Sequence, residues 1–257
     1  VSIPPPPGQP SGPPSGPLGP PTVASPSPRR PWWRRPGVLI GAAAAVVVAA
    51  VVVVTLVLTR RGGEGTPPVD TASQAREIAK RVALTPPDWG ADYVRSNPYE
   101  DDDKSVLFAD ADCQLVRQPG VNMLAYLDRT VHTPEKSVYA TSTVIVYRND
   151  GSAQADAARF QSDAQRCEKE TKANSKVQWE DIRQSDITSV KGFDDTVSAE
   201  EGHTVTSTTG QKADSYYTTV MGRKGQFVLL ASVQRKSSAG QNREDALNAL
   251  SLMLSRL

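Results

Sequence analysis

Hydrophobic and polar positions change their pattern twice along the chain. From Val1 to Pro36 proline dominates, Gly and Ser fill the gaps, and no apolar period is present. Such a segment cannot bury a core, so residues 1–36 read as a disordered proline-rich tail. Residues 37–60 then hold an unbroken apolar run, Val38 to Thr59, whose polar side chains, Thr55 and Thr59, can bond back to a helix backbone. At a rise of about 1.5 Å per residue the run reaches roughly 33 Å, enough to cross a hydrocarbon core, which predicts one transmembrane helix. A linker, 61–69, follows with Gly62-Gly63 and Pro67-Pro68, and residues 70–257 have the mixed periods of a folded domain.

Within that domain Asp70 or Thr71 can cap a helix reaching about Leu84, with Ala75, Ile78, Ala79 and Val82 on one face and Pro86-Pro87 ending it. An irregular acidic stretch separates it from two strands, Val121 to His132 and Ser137 to Tyr147, joined across Thr133-Pro134-Glu135-Lys136 as a hairpin. Asn149-Asp150-Gly151 turns the chain into a helix whose Ala153, Ala157, Phe160, Ala164 and Cys167 recur at helical spacing. Strand-like runs follow at Val177 to Ile182, Thr204 to Thr209, Ser215 to Met221 and Gln226 to Val233, the last two joined by Gly222-Arg223-Lys224-Gly225. Asn242 and Asp245, at capping-box spacing, open a final helix with Ala246, Leu247, Leu250, Met253, Leu254 and Leu257 on its apolar face. The expected fold is α+β, an antiparallel sheet with helices packed on one face.

Charge sets the expected orientation. Arg29, Arg30, Arg34 and Arg35 precede the apolar run and Arg60 and Arg61 follow it, so the tail is expected in the cytoplasm and 70–257 outside, held by an uncleaved signal anchor. Trp32 and Trp33 stand at the interface, and the basic cluster around them is expected to meet membrane lipid. The overall charge of +1 conceals 23 basic and 27 acidic residues from Asp70 onward. A domain without a basic excess is not expected to bind nucleic acid.

Candidate chemistry is sparse. Cys113 and Cys167 are the two cysteines, an even count on the external side, and are expected to form a structural disulfide. His132 and His203 lie in strand-like runs without a Ser or Asp at triad spacing, and Walker-type and dinucleotide-type glycine loops are absent, so no catalytic residue is assigned and no cofactor expected. Glu100-Asp101-Asp102-Asp103, with Asp110 and Asp112, carries enough oxygens to invite a cation but lacks the Gly and distal Glu of an EF-hand. It reads as a solvated acidic loop, and no metal ligand is assigned. Trp89, Tyr93, Tyr99 and Trp179 are the candidates for lining a ligand cleft. Pro10-Ser11-Gly12-Pro13 and its repeats have the spacing read by aromatic-lined grooves, making the tail a candidate docking site for a cytoplasmic partner.

A proline-rich leader, one membrane span and an external α-ββ-α-β-rich-α domain with inter-element cysteines resemble the membrane proteins of high-GC Gram-positive bacteria that carry a PknH-like extracellular sensor domain. The resemblance covers roughly 70–257 by element order. The 36-residue tail leaves no room for the kinase domain of the kinase members, and the chain has fewer cysteines than members with two disulfides. The resemblance implies sensing of a ligand or cell-envelope component, with no catalytic residues to carry over.

The expectation is therefore a cell-membrane protein whose extracytoplasmic domain is a non-catalytic sensor or ligand-binding module. A structural or scaffolding envelope protein that binds another protein is the alternative, and an extracytoplasmic hydrolase a more distant one. A closed apolar cleft with a few converging polar groups favours the first, a flat exposed apolar patch the second.

Overall fold

The computed structural model describes residues 68–257, apart from 174, 209–210 and 237–238. The proline-rich tail (1–36), the apolar span (37–60) and all but the end of the linker (61–69) lie outside the described residues. Among the described residues no helix is long and apolar enough to cross a membrane. Val69, at the end of the predicted linker, belongs to the fold: it is buried, its N–H donates to Gln226 Oε1 at 2.9 Å, and Gln226 Nε2 donates back to its carbonyl at 2.8 Å.

Helix α1 (Ala72–Val82) starts where Thr71 accepts from the Gln74 N–H, and it buries Ala75, Ala79 and Val82 as the spacing predicts. Pro86-Pro87 does more than stop it. Pro at the first helical positions is compatible with helix geometry, and with Thr85 and Asp88 forming a capping box the segment makes a one-turn helix α2 (Pro86–Trp89).

The acidic stretch expected to be irregular holds three strands, β1 (Val94–Asp101), β2 (Ser105–Ala109) and β3 (Gln114–Pro119). The predicted hairpin follows as β4 (Met123–His132) and β5 (Val138–Tyr147), paired antiparallel. Helix α3 (Asp150–Arg166) is capped by Asn149 and is followed by β6 (Glu170–Lys172), β7 (Val177–Ile187), β8 (Val197–Thr208), β9 (Gln211–Lys224) and β10 (Phe227–Arg235). Strand β9 runs past the predicted Gly222 turn, and the reversal comes at Gly225, whose φ of +54° suits glycine. Helix α4 (Asn242–Ser255) closes the chain. Its predicted capping box does not form: Asn242 Oδ1 and the Asp245 carboxylate both accept from the Arg235 guanidinium instead.

All ten strands form one sheet in the order β1-β4-β5-β10-β9-β8-β7-β6-β3-β2, antiparallel except for the β3–β6 pair. The sheet is curled, since β2, at one end of this order, faces the same cavity as β10, six strands away. The expectation of helices on one face is corrected. Phe227, Leu229, Ala231 and Val233 of β10 share a core with α1 and α4, whereas Val228 shares a second core with Ala153 and Ala157 of α3. Successive strand residues point to opposite faces, and both sets here are apolar, so the central strands need cover on both sides.

Candidate functional site

Alternation along the central strands builds a cleft on the α3 face. Thr143 of β5, Leu230, Ser232 and Gln234 of β10, Tyr217 and Thr219 of β9, and Glu200 and Thr204 of β8 all point to this side. Nearer its Asp150 end, Ala153 and Ala157 of α3 and Phe108 of β2 fill that face against Tyr147 of β5, whose hydroxyl donates to Asp156 Oδ2 at 2.7 Å. Beyond this core a cavity of about 340 Å³ remains, walled by Phe160 and Asp163 of α3, Glu170 of β6 and Trp179 of β7.

Local sequence explains the shape. Gly202 lies opposite Tyr217 in the β8–β9 register, and a Cβ there would come within 3.1 Å of the Tyr217 ring and 2.9 Å of the Glu180 carbonyl oxygen. Glycine thus makes room for the phenol, whose hydroxyl donates to Glu200 Oε1 at 2.8 Å. The Cys113–Cys167 disulfide forms as expected. It ties the C-terminus of α3 to the start of β3, beside the Thr171 N–H that donates to the Cys113 carbonyl at 3.2 Å, and so fixes the strand that carries Glu170.

Three carboxylates reach the cleft, and their surroundings differ. Asp163 accepts from the Ala109 N–H at 3.0 Å and from Arg166 at 3.0 Å. Burial pushes the Glu200 carboxyl upward from the ordinary range, against the lowering effect of the Tyr217 hydroxyl. Glu170 is 7% exposed and, among the described residues, its carboxylate has no hydrogen-bond or ion-pair partner. Burial, then the nearby Glu200 and Asp163 charges, push its pKa up to about 7. Among the described residues no Lys, Arg or His lines the cavity.

The hydroxyls on the cleft floor are occupied with one another. Thr219 Oγ1 donates to Ser232 Oγ at 2.9 Å, Gln234 Nε2 to Thr204 Oγ1 at 2.7 Å, and Thr143 Oγ1 to Asp128 Oδ1 at 2.7 Å. Burial raises the Asp128 carboxyl to about 6.

Of the aromatic residues singled out in the sequence, Trp179 lines this cleft. Trp89 and Tyr93 sit elsewhere, their rings 6.3 Å apart, around a cavity of about 220 Å³ against Asp245, Asn248 and Leu252 of α4. Tyr99 packs under the Arg95 and Arg129 guanidinium groups, 4.7 and 5.8 Å from its ring centre. The four therefore do not share one site. A cavity of about 580 Å³ runs along α3 past Gln154, Gln161, Gln165 and Gln184, but its walls hold no aromatic ring, and Gln165 and Gln184 bond to each other at 3.1 Å.

The histidines stay apart from the cleft. His132 Nδ1 lies 2.7 Å from the Thr133 carbonyl, and His203 Nε2 lies 3.4 Å from an Asp181 carboxylate oxygen. The acidic run is engaged by arginines: Glu100 with Arg129, Asp101 and Asp103 with Arg117, and Asp102 with Arg76. Among the described residues no group of His, Cys, Asp and Glu is placed to hold a metal ion.

Glu170, Glu200, Asp163 and Tyr217 are absent from the sequence-based candidates. Glu170 sits in a three-residue strand, Glu-Thr-Lys, with no apolar period to announce it. Glu200 offered a signal, a carboxylate between the inward-facing Ala199 and the strand positions leading to Val205, but the polar run Ser198 to His203 hid the strand itself.

No family model matches the sequence, and no curated protein matches it. Among solved structures, the chain is similar to the extracellular domain of PknH from Mycobacterium tuberculosis, with 12% identity and a TM-score of 0.43, over 74% of this chain and all of that one.

Proposed function

We propose that residues 68–257 form an extracytoplasmic ligand-binding or sensor module that acts without catalysis, anchored to the cell membrane by the apolar run at 37–60. The observation that carries the binding reading is the cleft between α3 and the curled sheet, walled by Trp179, Phe108 and Phe160 and furnished with the Glu170 carboxylate, which opens to the cleft and has no protein partner among the described residues. Apolar walls with a few polar groups are the usual construction of a small-molecule site. The disulfide supports an oxidising compartment, and the arginine excess before the apolar run supports an external C-terminal domain. Binding rather than turnover is the reading we keep: the sequence has no glycine loop for phosphate, and among the described residues no histidine lines the cleft.

The scaffolding alternative needs a flat apolar patch. Among the described residues the exposed large apolar side chains are Val94, Val116, Val121 and Tyr216, set on three different strands and a loop. The test is an NMR screen of small soluble fragments against the chain, with Trp179 as reporter. Hits should shift the Trp179 indole signal and should vanish in Ser232→Phe, which fills the cleft from β10. A screen whose hits map away from Trp179 and survive Ser232→Phe would remove the cleft as the binding site.

A further inference from the structure

We infer that the cleft takes a small organic cation, an ammonium group on an apolar body, with Glu170 as its counter-ion; this rests on the cleft being the ligand site. The wall chemistry selects the charge. Asp163, Glu170 and Glu200 all reach the cavity and, among the described residues, no cationic side chain lines it; the nearby Arg166 is already paired with Asp163 at 3.0 Å, so the lining favours a cation over an anion. Two of the three carboxylates already have partners, Asp163 through Ala109 and Arg166 and Glu200 through Tyr217. Glu170 has none among the described residues, although it is only 7% exposed. Its carboxylate opens to the cleft, where water or a bound group can reach it, and a carboxylate so largely removed from solvent gains from a charged partner. A bound ammonium supplies that pairing.

The rest of the lining argues against other ligands. A saccharide needs many free donors and acceptors, but Thr143, Thr204, Thr219, Ser232 and Gln234 are hydrogen-bonded among themselves or to Asp128. A hard metal ion needs six or more oxygens, and no such group is assembled among the described residues. Trp179 and Phe160 line the cavity and offer apolar contact for the carbon skeleton, and aromatic rings also attract a cation. At about 340 Å³ the cavity lies near the small end of ligand sites, which suits a single small molecule rather than a length of polymer.

The titratable and charged groups facing Glu170 are Glu200 on β8, Tyr217 on β9, and Asp163 and Arg166 on α3. Because Glu170 titrates at about 7, its ionised fraction rises about tenfold between pH 6 and pH 8.

The experiment titrates the purified 257-residue chain with phenethylammonium chloride and with its neutral analogue 2-phenylethanol, by calorimetry and by the Trp179 indole NMR signal. At pH 8 the ammonium should bind at least tenfold more tightly than the alcohol and should lose about tenfold at pH 6. Glu170→Gln should bring the two affinities together, and melting of the variant checks that it is folded. Trp179→Ala should weaken both probes. Equal affinities in the native chain would overturn the cation assignment while leaving the cleft as a ligand site. Ammonium binding that survives Glu170→Gln at full strength would overturn Glu170 as counter-ion. Failure of both probes to move the Trp179 signal would also overturn the cation assignment, and the cleft itself would then stand or fall on the fragment screen with Ser232→Phe.

Discussion

Tyr217 donates its hydroxyl to Glu200 Oε1 at 2.8 Å, joining β9 to β8 on the floor of the cleft, and no other hydrogen bond to the Glu200 side chain is formed among the described residues. Burial opposes ionisation of Glu200 and the phenol partly offsets that. Tyr217→Phe keeps the ring over Gly202 and removes only the donor. The variant should lose on the order of 1–3 kcal/mol, the cost of leaving a buried acceptor unmade, and melt several degrees lower. The Glu200 pKa, followed by carboxyl carbon NMR, should rise further. An unchanged melting temperature and titration would show that the bond contributes nothing.

Stability should fall as pH rises from about 4.5 to 7. Glu170, raised to about 7 from an unfolded value of 4.5, and Asp128, raised to about 6 from 3.8, hold their protons in the folded state after the unfolded chain has released them. The folded state then binds more protons than the unfolded one, so the free energy of unfolding decreases with pH across that window. The Glu170 share is on the order of 2 kcal/mol, reduced from the bare shift because water in the open cleft screens the carboxylate. At the acid end Asp88, lowered to about 2 chiefly by Arg256, works in the opposite sense and loses its contribution below about pH 4. Denaturant melts across pH should show an optimum near pH 4–5, and Glu170→Gln should flatten its alkaline side. A native profile that rises steadily to pH 8 would contradict these assignments.

Arg129 holds α1 onto the sheet. Its side chain is almost wholly buried under Tyr99, Nη1 donates to the Ala83 carbonyl at 2.7 Å and to the Lys80 carbonyl at 3.1 Å, and Nε donates to Glu100 at 2.9 Å. A cation at a helix C-terminus satisfies the last carbonyls and complements the helix dipole. Arg129→Met keeps much of the volume and strands those carbonyls, and should cost about 2–3 kcal/mol in chemical denaturation. Hydrogen exchange should show α1 opening first. A loss confined to a few tenths of a kcal/mol would reduce Arg129 to a surface ion pair.

Much of the fold is legible where one face of an element is apolar and the other polar. The period of Ala75, Ile78, Ala79 and Val82 gives α1, and the alternation through Val138 to Tyr147 gives β5. Strand β1 escapes because it lies at an edge of the sheet, where a half-solvated backbone carries Asn97, Pro98 and Glu100 without apolar alternation; β2 escapes because its apolar run, Val106 to Ala109, is only a few residues long. The second helix layer escapes for the opposite reason. Val144, Ile145, Val146 and Tyr147 are all fully buried, and a strand buried on both faces shows an apolar run that does not say which side a helix will cover.

The site was less legible than the fold. Trp179 was reachable from composition, but the residues beside it come from α3, β6, β8 and β9, and only the curl of the sheet brings them together. No spacing in the sequence links Asp163 to Tyr217.

The disulfide should matter for the cleft as well as for stability. Cys113 and Cys167 are 54 residues apart, and closing a loop of that length contributes at most about 4 kcal/mol in the chain-entropy account. Cys113 immediately precedes β3 and Cys167 stands three residues before Glu170, while β3 and β6 pair through Gln114 with Thr171 and Leu115 with Lys172. That parallel pair spans only two residue pairs, so the covalent link beside it helps to set the position of the Glu170 carboxylate against α3. Cys167→Ser should therefore lower the melting temperature substantially and, at temperatures where the chain is still folded, broaden the NMR signals of Glu170 and Trp179 while leaving those of α1 and α4 sharp. Mass spectrometry of native material should find no free thiol. A variant that melts lower but keeps sharp, unshifted cleft signals would confine the disulfide to overall stability and separate it from the site.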